Sequence, residues 1–205
     1  MSPGRVEPYQ RALTELRDRI CVGTIPPGTR VVAKEVADEL GLSPTPVREA
    51  MARLAGEGLL VERRGDGFFA LTLTAADVEG LYRLALAMLR EALSSPRRGR
   101  PDVAAALSEQ VEADPVRAIE RLFSTWVAET QSPILAEKFQ LLTCQLGAVR
   151  RVEARLFADI VDEARHLIGL AVEPAPNRLP AVEVFHARRL AEATLLAAAV
   201  TPSSA

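Results

Sequence analysis

Arg48 and Thr45 are the residues whose type and spacing most directly define a chemistry in this chain. They follow Ser43-Pro44, which reads as an N-cap with proline at the first helical position, where its missing N–H costs nothing. Three residues are nearly one helical turn, so the two side chains share a face. A guanidinium there can make paired hydrogen bonds to guanine O6 and N7 or clamp a phosphate, and a good bidentate base contact is worth about 1–3 kcal/mol. Thr45 and the N–H groups at the helix start can hold a phosphate against the positive end of the helix dipole. Lys34 before this helix and Arg64 after it add cations suited to backbone contacts. The competing reading of Arg48 is a solvated ion pair with Glu49 or Glu57.

Nothing else in the chain spells out a reaction. No nucleophile–base pair, paired-carboxylate motif or phosphate loop is present, so catalysis is not expected. Cys21 and Cys144, 123 positions apart with no CxxC or Cys/His cluster around either, exclude a disulfide framework and a zinc ribbon. Aromatics at 4% exclude a base-stacking surface for single strands. The N-terminus carries no apolar leader and no stretch approaches the roughly 18 apolar residues of a membrane span, so a cytoplasmic protein with no membrane partner is expected. At 205 residues, 48% hydrophobic and 25% charged, the chain can build one large or two small cores. Its net charge of −2 does not announce a nucleic-acid partner.

The elements that must position these residues follow from periodicity. Leu13, Leu16 and Ile20 make an amphipathic helix over Tyr9–Val22 that stops at Gly23. Thr29–Val32 suits a short strand, and Val36, Ala37 and Leu40 mark a second helix ending at Gly41. Val47, Ala50, Met51 and Leu54 trace the buried stripe of a third helix, with Thr45, Arg48, Ala52 and Arg53 opposite. Arg63-Arg64-Gly65-Asp66-Gly67 between two apolar runs is a hairpin. Beyond Thr74 nearly everything reads as helix, at about 75–93, 102–112, 115–130, 133–157, 159–172 and 180–200, with a basic loop at 94–101 and a stop and turn at 173–177. The expected fold is mainly α, an N-terminal winged helix-turn-helix with a small β-hairpin wing over residues 1–74 and an all-α bundle over 75–205. The helix-turn-helix falls at about 33–56 and the wing at about 59–71.

The run Pro26-Pro27-Gly28-Thr29, Lys34-Glu35-Val36-Ala37, Leu40-Gly41-Leu42-Ser43-Pro44-Thr45-Pro46-Val47-Arg48-Glu49-Ala50, then Leu54, Glu57-Gly58-Leu59 and Arg63 closely resembles the N-terminal domain of GntR-family bacterial transcription regulators. The match is nearly continuous from about Tyr9 to Leu71. It implies a sequence-specific regulator, repressor or activator, whose third helix enters the major groove of double-stranded DNA. Lys34, Ser43, Thr45, Arg48, Arg53, Arg64 and Gly65 would be the residues facing DNA. Pro44 stands where family members often have arginine, and Asp66 puts negative charge at the wing tip. Both imply a shifted operator preference and weaker binding per half-site.

The remainder resembles the FCD domain that many such regulators carry, a helical bundle that binds small carboxylates or related metabolites, often through a metal. Mapped onto this chain, the metal set is degenerate: Glu120 replaces an aspartate, Ser124 and Ala164 replace histidines, and only His186 is kept. No metal and no other cofactor are therefore expected. Arg121, Ser124 and His186 are the candidate effector-binding residues, for an effector the sequence does not name. A homodimer on a palindromic operator is expected, since one recognition helix reads only a few base pairs. Leu135, Phe139, Leu142, Leu146 and Val149 form a stripe that is either core or subunit contact. The alternative is a small-molecule-binding or protein-interaction module that keeps the winged helix without specific DNA binding. Residues 1–74 carry ten basic and ten acidic side chains, so the DNA-reading domain must sort its charges onto opposite faces, with few phosphate contacts and a shallow salt dependence.

Overall fold

The computed structural model describes residues 7–94 and 101–200. Most of the predicted basic loop therefore lies outside the described residues. The chain divides into two compact units, the first running to Thr72 and the second from Leu73 to Ala199.

In the first unit α1 (Pro8–Val22) buries Ala12, Leu13, Leu16 and Ile20 and ends at Gly23. The short strand β1 (Arg30–Val31) leads into α2 (Ala33–Leu40). Gly41 closes α2 at φ +64, a left-handed conformation that favours glycine. The N–H of Leu42 then donates back to the Ala37 carbonyl at 2.8 Å, so α3 (Pro44–Gly56) can start almost at once. Val47, Ala50, Met51 and Leu54 of α3 have no exposed surface. Full burial of a valine, methionine or leucine side chain is worth about 1.5–3 kcal/mol each, which fixes the rotation of α3 and hence its outer face. Strands β2 (Leu60–Arg63) and β3 (Gly67–Ala70) form the wing hairpin, and β1 adds to it antiparallel in the order β1-β3-β2.

The second unit starts at α4 (Ala75–Leu93), held by a capping box between Thr74 and Asp77. There follow α5 (Pro101–Ser108), α6 (Pro115–Ala128), α7 (Pro133–Gln145), α8 (Gly147–Leu156), α9 (Ile160–Gly169), α10 (Ala175–Ala191) and α11 (Ala193–Val200). Helix α6 is central, packing on α4, α5, α7, α8 and α9. Its Phe123 and Trp126 are fully buried, with Phe123 edge-on to Phe185 of α10 at 5.2 Å.

Where six helices were expected here, eight are found among the described residues. The run at 133–157 breaks at Leu146, whose ψ of −7 caps α7 just before Gly147 opens α8. The last run begins at Ala175, earlier than the prolines predicted. Pro174 sits at the N-cap and Pro176 in the first turn, where no N–H is needed, while Pro180 is accepted inside the helix. No helix among the described residues is long and apolar enough to cross a membrane.

Candidate nucleic-acid interface

Helix α3 shows solvent a short polar strip of Ser43, Thr45, Arg48, Ala52 and Arg53, all exposed. Arg48 makes no hydrogen bond or ion pair among the described residues, so neither Glu49 nor Glu57 holds it. Glu57 is instead gripped by Arg17 at 2.5 Å and Arg53 at 2.8 Å. Burial pushes the Glu57 carboxyl up, but these two guanidinium bonds outweigh it and hold the group below its ordinary value. Arg53 is therefore engaged at the C-terminal end of α3, unlike Arg48.

Ser43 occupies the N-cap with extended backbone, yet its hydroxyl makes no cap bond. The reason is local, since an N-cap side chain accepts from the second or third helical N–H and the third position is Pro46. The two prolines leave only Ser43 and Thr45 with free amides at the helix start, so a phosphate there relies on few backbone donors. Lys34 projects from α2, exposed and likewise unpaired among the described residues.

In the wing, the turn closes with the Asp66 N–H donating to the Arg63 carbonyl at 3.0 Å. Gly65 stands exposed at the tip with φ +86, and the exposed Arg64 and Asp66 flank it. Strand alternation puts Val31, Leu60 and Ala70 inward. The opposite face carries Arg30, paired in register with Phe69, and Arg63, whose guanidinium lies 4.2 Å from the Phe69 ring centre. A Cβ at Gly67 would meet the Arg30 guanidinium at 3.8 Å. Arg30 and Arg63 are thus two further cations on the solvent face of the wing that the sequence reading did not select. The period-2 rule applied to Arg30-Val31, with Val31 as the buried partner, would have found the first.

Three acids of this unit are held by its other arginines: Glu57 as above, and Glu15 and Glu39, which both pair with Arg19 at 2.7 and 2.6 Å. Among the described residues Lys34, Arg48 and Arg64 stay unpaired on the surface of this domain of zero net charge.

The candidate effector residues of the helical unit do not converge. Arg121 and Ser124 line one open groove of about 440 Å³ with Arg117, Glu120 and Thr125. Arg121 donates to Gln110 at 2.6 Å. His186 does not line this groove. It is fully buried against Tyr82, Phe123 and Phe185, with Nδ1 2.7 Å from the Val182 carbonyl. A carbonyl only accepts, so Nδ1 carries the proton, and burial chiefly drives the ring pKa down to about 3. The family mapping had no means of showing that His186 packs among the rings of Tyr82, Phe123 and Phe185.

The residues do not fit a divalent metal. Among the described residues no three His, Cys, Asp or Glu side chains group to hold one. Ala164 is buried without a donor atom. Both remaining candidates, Glu120 and His186, feel the positive charge of Arg150, which repels a cation.

Residues 8–70 match the model of bacterial regulatory proteins of the gntR family. The chain is 35% identical over 126 residues, 58% of its own length and 70% of the relative's, to an HTH-type transcriptional regulator in the TAR-I ttuE-ttuC' intergenic region of Agrobacterium vitis. In fold it is similar to McbR/YncC of E. coli, with a TM-score of 0.71, 20% identity, and 93% and 99% of the two chains covered. It is also similar to a chain from Rhodococcus sp. RHA1 described as a GntR transcriptional regulator, with a TM-score of 0.73, 18% identity, and 95% and 99% covered.

Proposed function

Because the chain belongs to the GntR family of bacterial regulatory proteins and is a DNA-binding transcriptional regulator, we propose that it binds a palindromic operator as an effector-responsive homodimer. Helix α3 of each protomer enters the major groove and the wing follows the phosphate backbone. The observation that carries this is Arg48, exposed one turn into α3 and engaged by no protein group among the described residues. An unpaired guanidinium can bind a guanine edge without first giving up an ion pair. Lys34, Thr45 and Arg64, joined by Arg30 and Arg63, supply the backbone contacts.

The dimer contact is assigned to an apolar groove of about 580 Å³ between α4 and α7, lined by Leu84, Met88, Ile134, Leu135 and Leu141. Ile134 is 72% and Leu84 51% exposed, so one patch holds both projecting side chains and a groove to receive them. That is the self-complementarity a two-fold interface requires. Glu137 and Lys138 beside it can exchange partners across the axis.

The test is site selection from random DNA followed by gel-shift titration. The wild-type chain selects a palindrome at moderate salt, and Arg48→Ala weakens binding about 10- to 100-fold per half-site with the melting temperature unchanged. A chain that prefers no palindromic DNA, or an Arg48→Ala variant that keeps the preference, overturns the reading. Ile134→Glu should shift the sedimenting species to monomer.

A further inference from the structure

On the solvent face of the wing two guanidiniums cross over the central strand. In the order β1-β3-β2, Arg30 stands opposite Phe69 from one side, and Arg63 stands opposite Gly67 from the other. Each side chain leans into the other's row. The Arg30 guanidinium lies over Gly67, with Nε and Nη2 both 3.8 Å from where a Cβ would stand. The Arg63 guanidinium lies over the Phe69 ring, 4.2 Å from its centre. Gly67 and Phe69 are alternate residues of one face, about 7 Å apart along the strand, so the two charges are neighbours.

Both arginines are exposed, and neither guanidinium has a hydrogen bond or ion pair among the described residues. The acid of β2, Glu62, pairs in register with Phe68 and so faces the other side of the sheet, with Val31. Phe69 covers one face of the Arg63 guanidinium, which leaves its N–H edge to donate. Two forks of donors brought to one strip of sheet from opposite sides suit a single anion with at least two oxygens. A phosphate of the DNA backbone carries two non-bridging oxygens, one for each fork.

We propose that Arg30 and Arg63 act as one clamp on a single DNA phosphate over Gly67, with Phe69 as the positioning residue for Arg63. Stacking on the ring holds Arg63 in place before DNA arrives, so less rotamer freedom is lost on binding. The clamp rests on the DNA-binding reading above, in which these arginines are two general backbone contacts, and deepens it. Site selection tests that reading, whereas the clamp is tested on a duplex of arbitrary sequence, so the two can fail separately.

The experiment is fluorescence anisotropy titration of a labelled duplex of arbitrary sequence with the full chain, repeated over a range of potassium chloride concentrations. Arg30→Ala or Arg63→Ala alone should weaken binding severalfold and leave the slope of log affinity against log salt nearly unchanged, because the remaining guanidinium still neutralises the phosphate. The double variant should lower that slope by about one for each wing engaged. Phe69→Leu should weaken binding as Arg63→Ala does and add nothing in the Arg63→Ala chain, while Phe69→Tyr, which keeps the ring, should bind as wild type does. Any of three results overturns the proposal. Slope losses already present in the single variants and additive in the double one assign the arginines to separate phosphates. A double variant with the wild-type slope removes the contact altogether. A Phe69→Leu effect equal in size with and without Arg63 assigns the ring to the fold of the wing.

Discussion

The two units use the same side chain in opposite ways. In the winged unit Arg48 and Arg64 are exposed and without partners among the described residues, while Arg17, Arg19 and Arg53 pair with acids. In the helical unit Arg150, Arg178 and Arg189 are at most 1% exposed. Arg189 has two carboxylates, and Arg178 has the Glu173 carbonyl at 2.9 Å, Glu129 at 3.4 Å and the face of Trp126. Water solvates an unpaired guanidinium and leaves it ready for a phosphate or a base. The interior does not, so each buried guanidinium must be answered by a specific group. Arginine in the first unit is therefore left in solvent or tied to a nearby acid, and in the second it decides how the core is organised.

Breaking the buried side of this contrast has the largest expected effect. Glu153→Ala removes the acceptor of both Arg189 and the Tyr82 hydroxyl, and about 3–5 kcal/mol of stability should be lost. Urea unfolding followed by the fluorescence of Trp126, the single tryptophan, reads this directly. A loss below about 1 kcal/mol would place the network on a par with surface pairs.

Acid should sharpen the contrast next. The unfolded chain protonates His186 near its ordinary 6.5, while the folded ring stays neutral down to about 3. Between these values the unfolded state binds more protons, so stability is full above pH 6.5 and falls as pH drops, by up to about 1.4 kcal/mol per unit. Glu120, raised by burial, opposes this above its ordinary 4.5, because its contribution is lost as pH rises. In the winged unit Glu57 is held low, so its contribution persists until pH falls below about 4.5. The shift of the Trp126 unfolding midpoint between pH 7 and 5.5 should therefore change when His186 is replaced by Leu, and a shift identical in His186→Leu and wild type would contradict the neutral buried ring.

The smallest effects belong to the exposed cations. Lys34→Ala and Arg64→Ala should each weaken binding evenly across DNA sequences, lower the salt slope of binding by about one, and leave the stability within about 0.5 kcal/mol of wild type. Arg53→Ala should cost only about 0.3–0.5 kcal/mol of stability, the value of an exposed i,i+4 pair. A variant of these exposed residues that unfolds the chain would erase the distinction between the units.

The reading face was legible because its determinants are local. Gly41, Ser43-Pro44 and the spacing of Val47, Ala50, Met51 and Leu54 lie within fifteen residues and fix both the start of α3 and its outward face. What escaped there was also local but weaker: Arg30 sits in a strand of two residues, too short for its alternation to stand out. In the helical unit the helices were visible but their breaks were less so. Leu146-Gly147 carries no strong stop, and the prolines at 174, 176 and 180 resemble a stop when they begin a helix.

The amino-acid sequence by itself determined the winged helix, the turn and the side chains on the outer face of α3, because helical period, caps and turn glycines act over one or two turns of chain. Only the tertiary structure decided which arginines are solvated and which are interior, that Glu57 holds Arg53 and not Arg48, and that His186 is sealed from the groove of Arg121 and Ser124. Burial and partnership depend on helices far apart in the chain: Glu153, Glu163 and Arg189 come from α8, α9 and α10. A charged residue read in isolation belongs at the surface, and packing alone places it elsewhere.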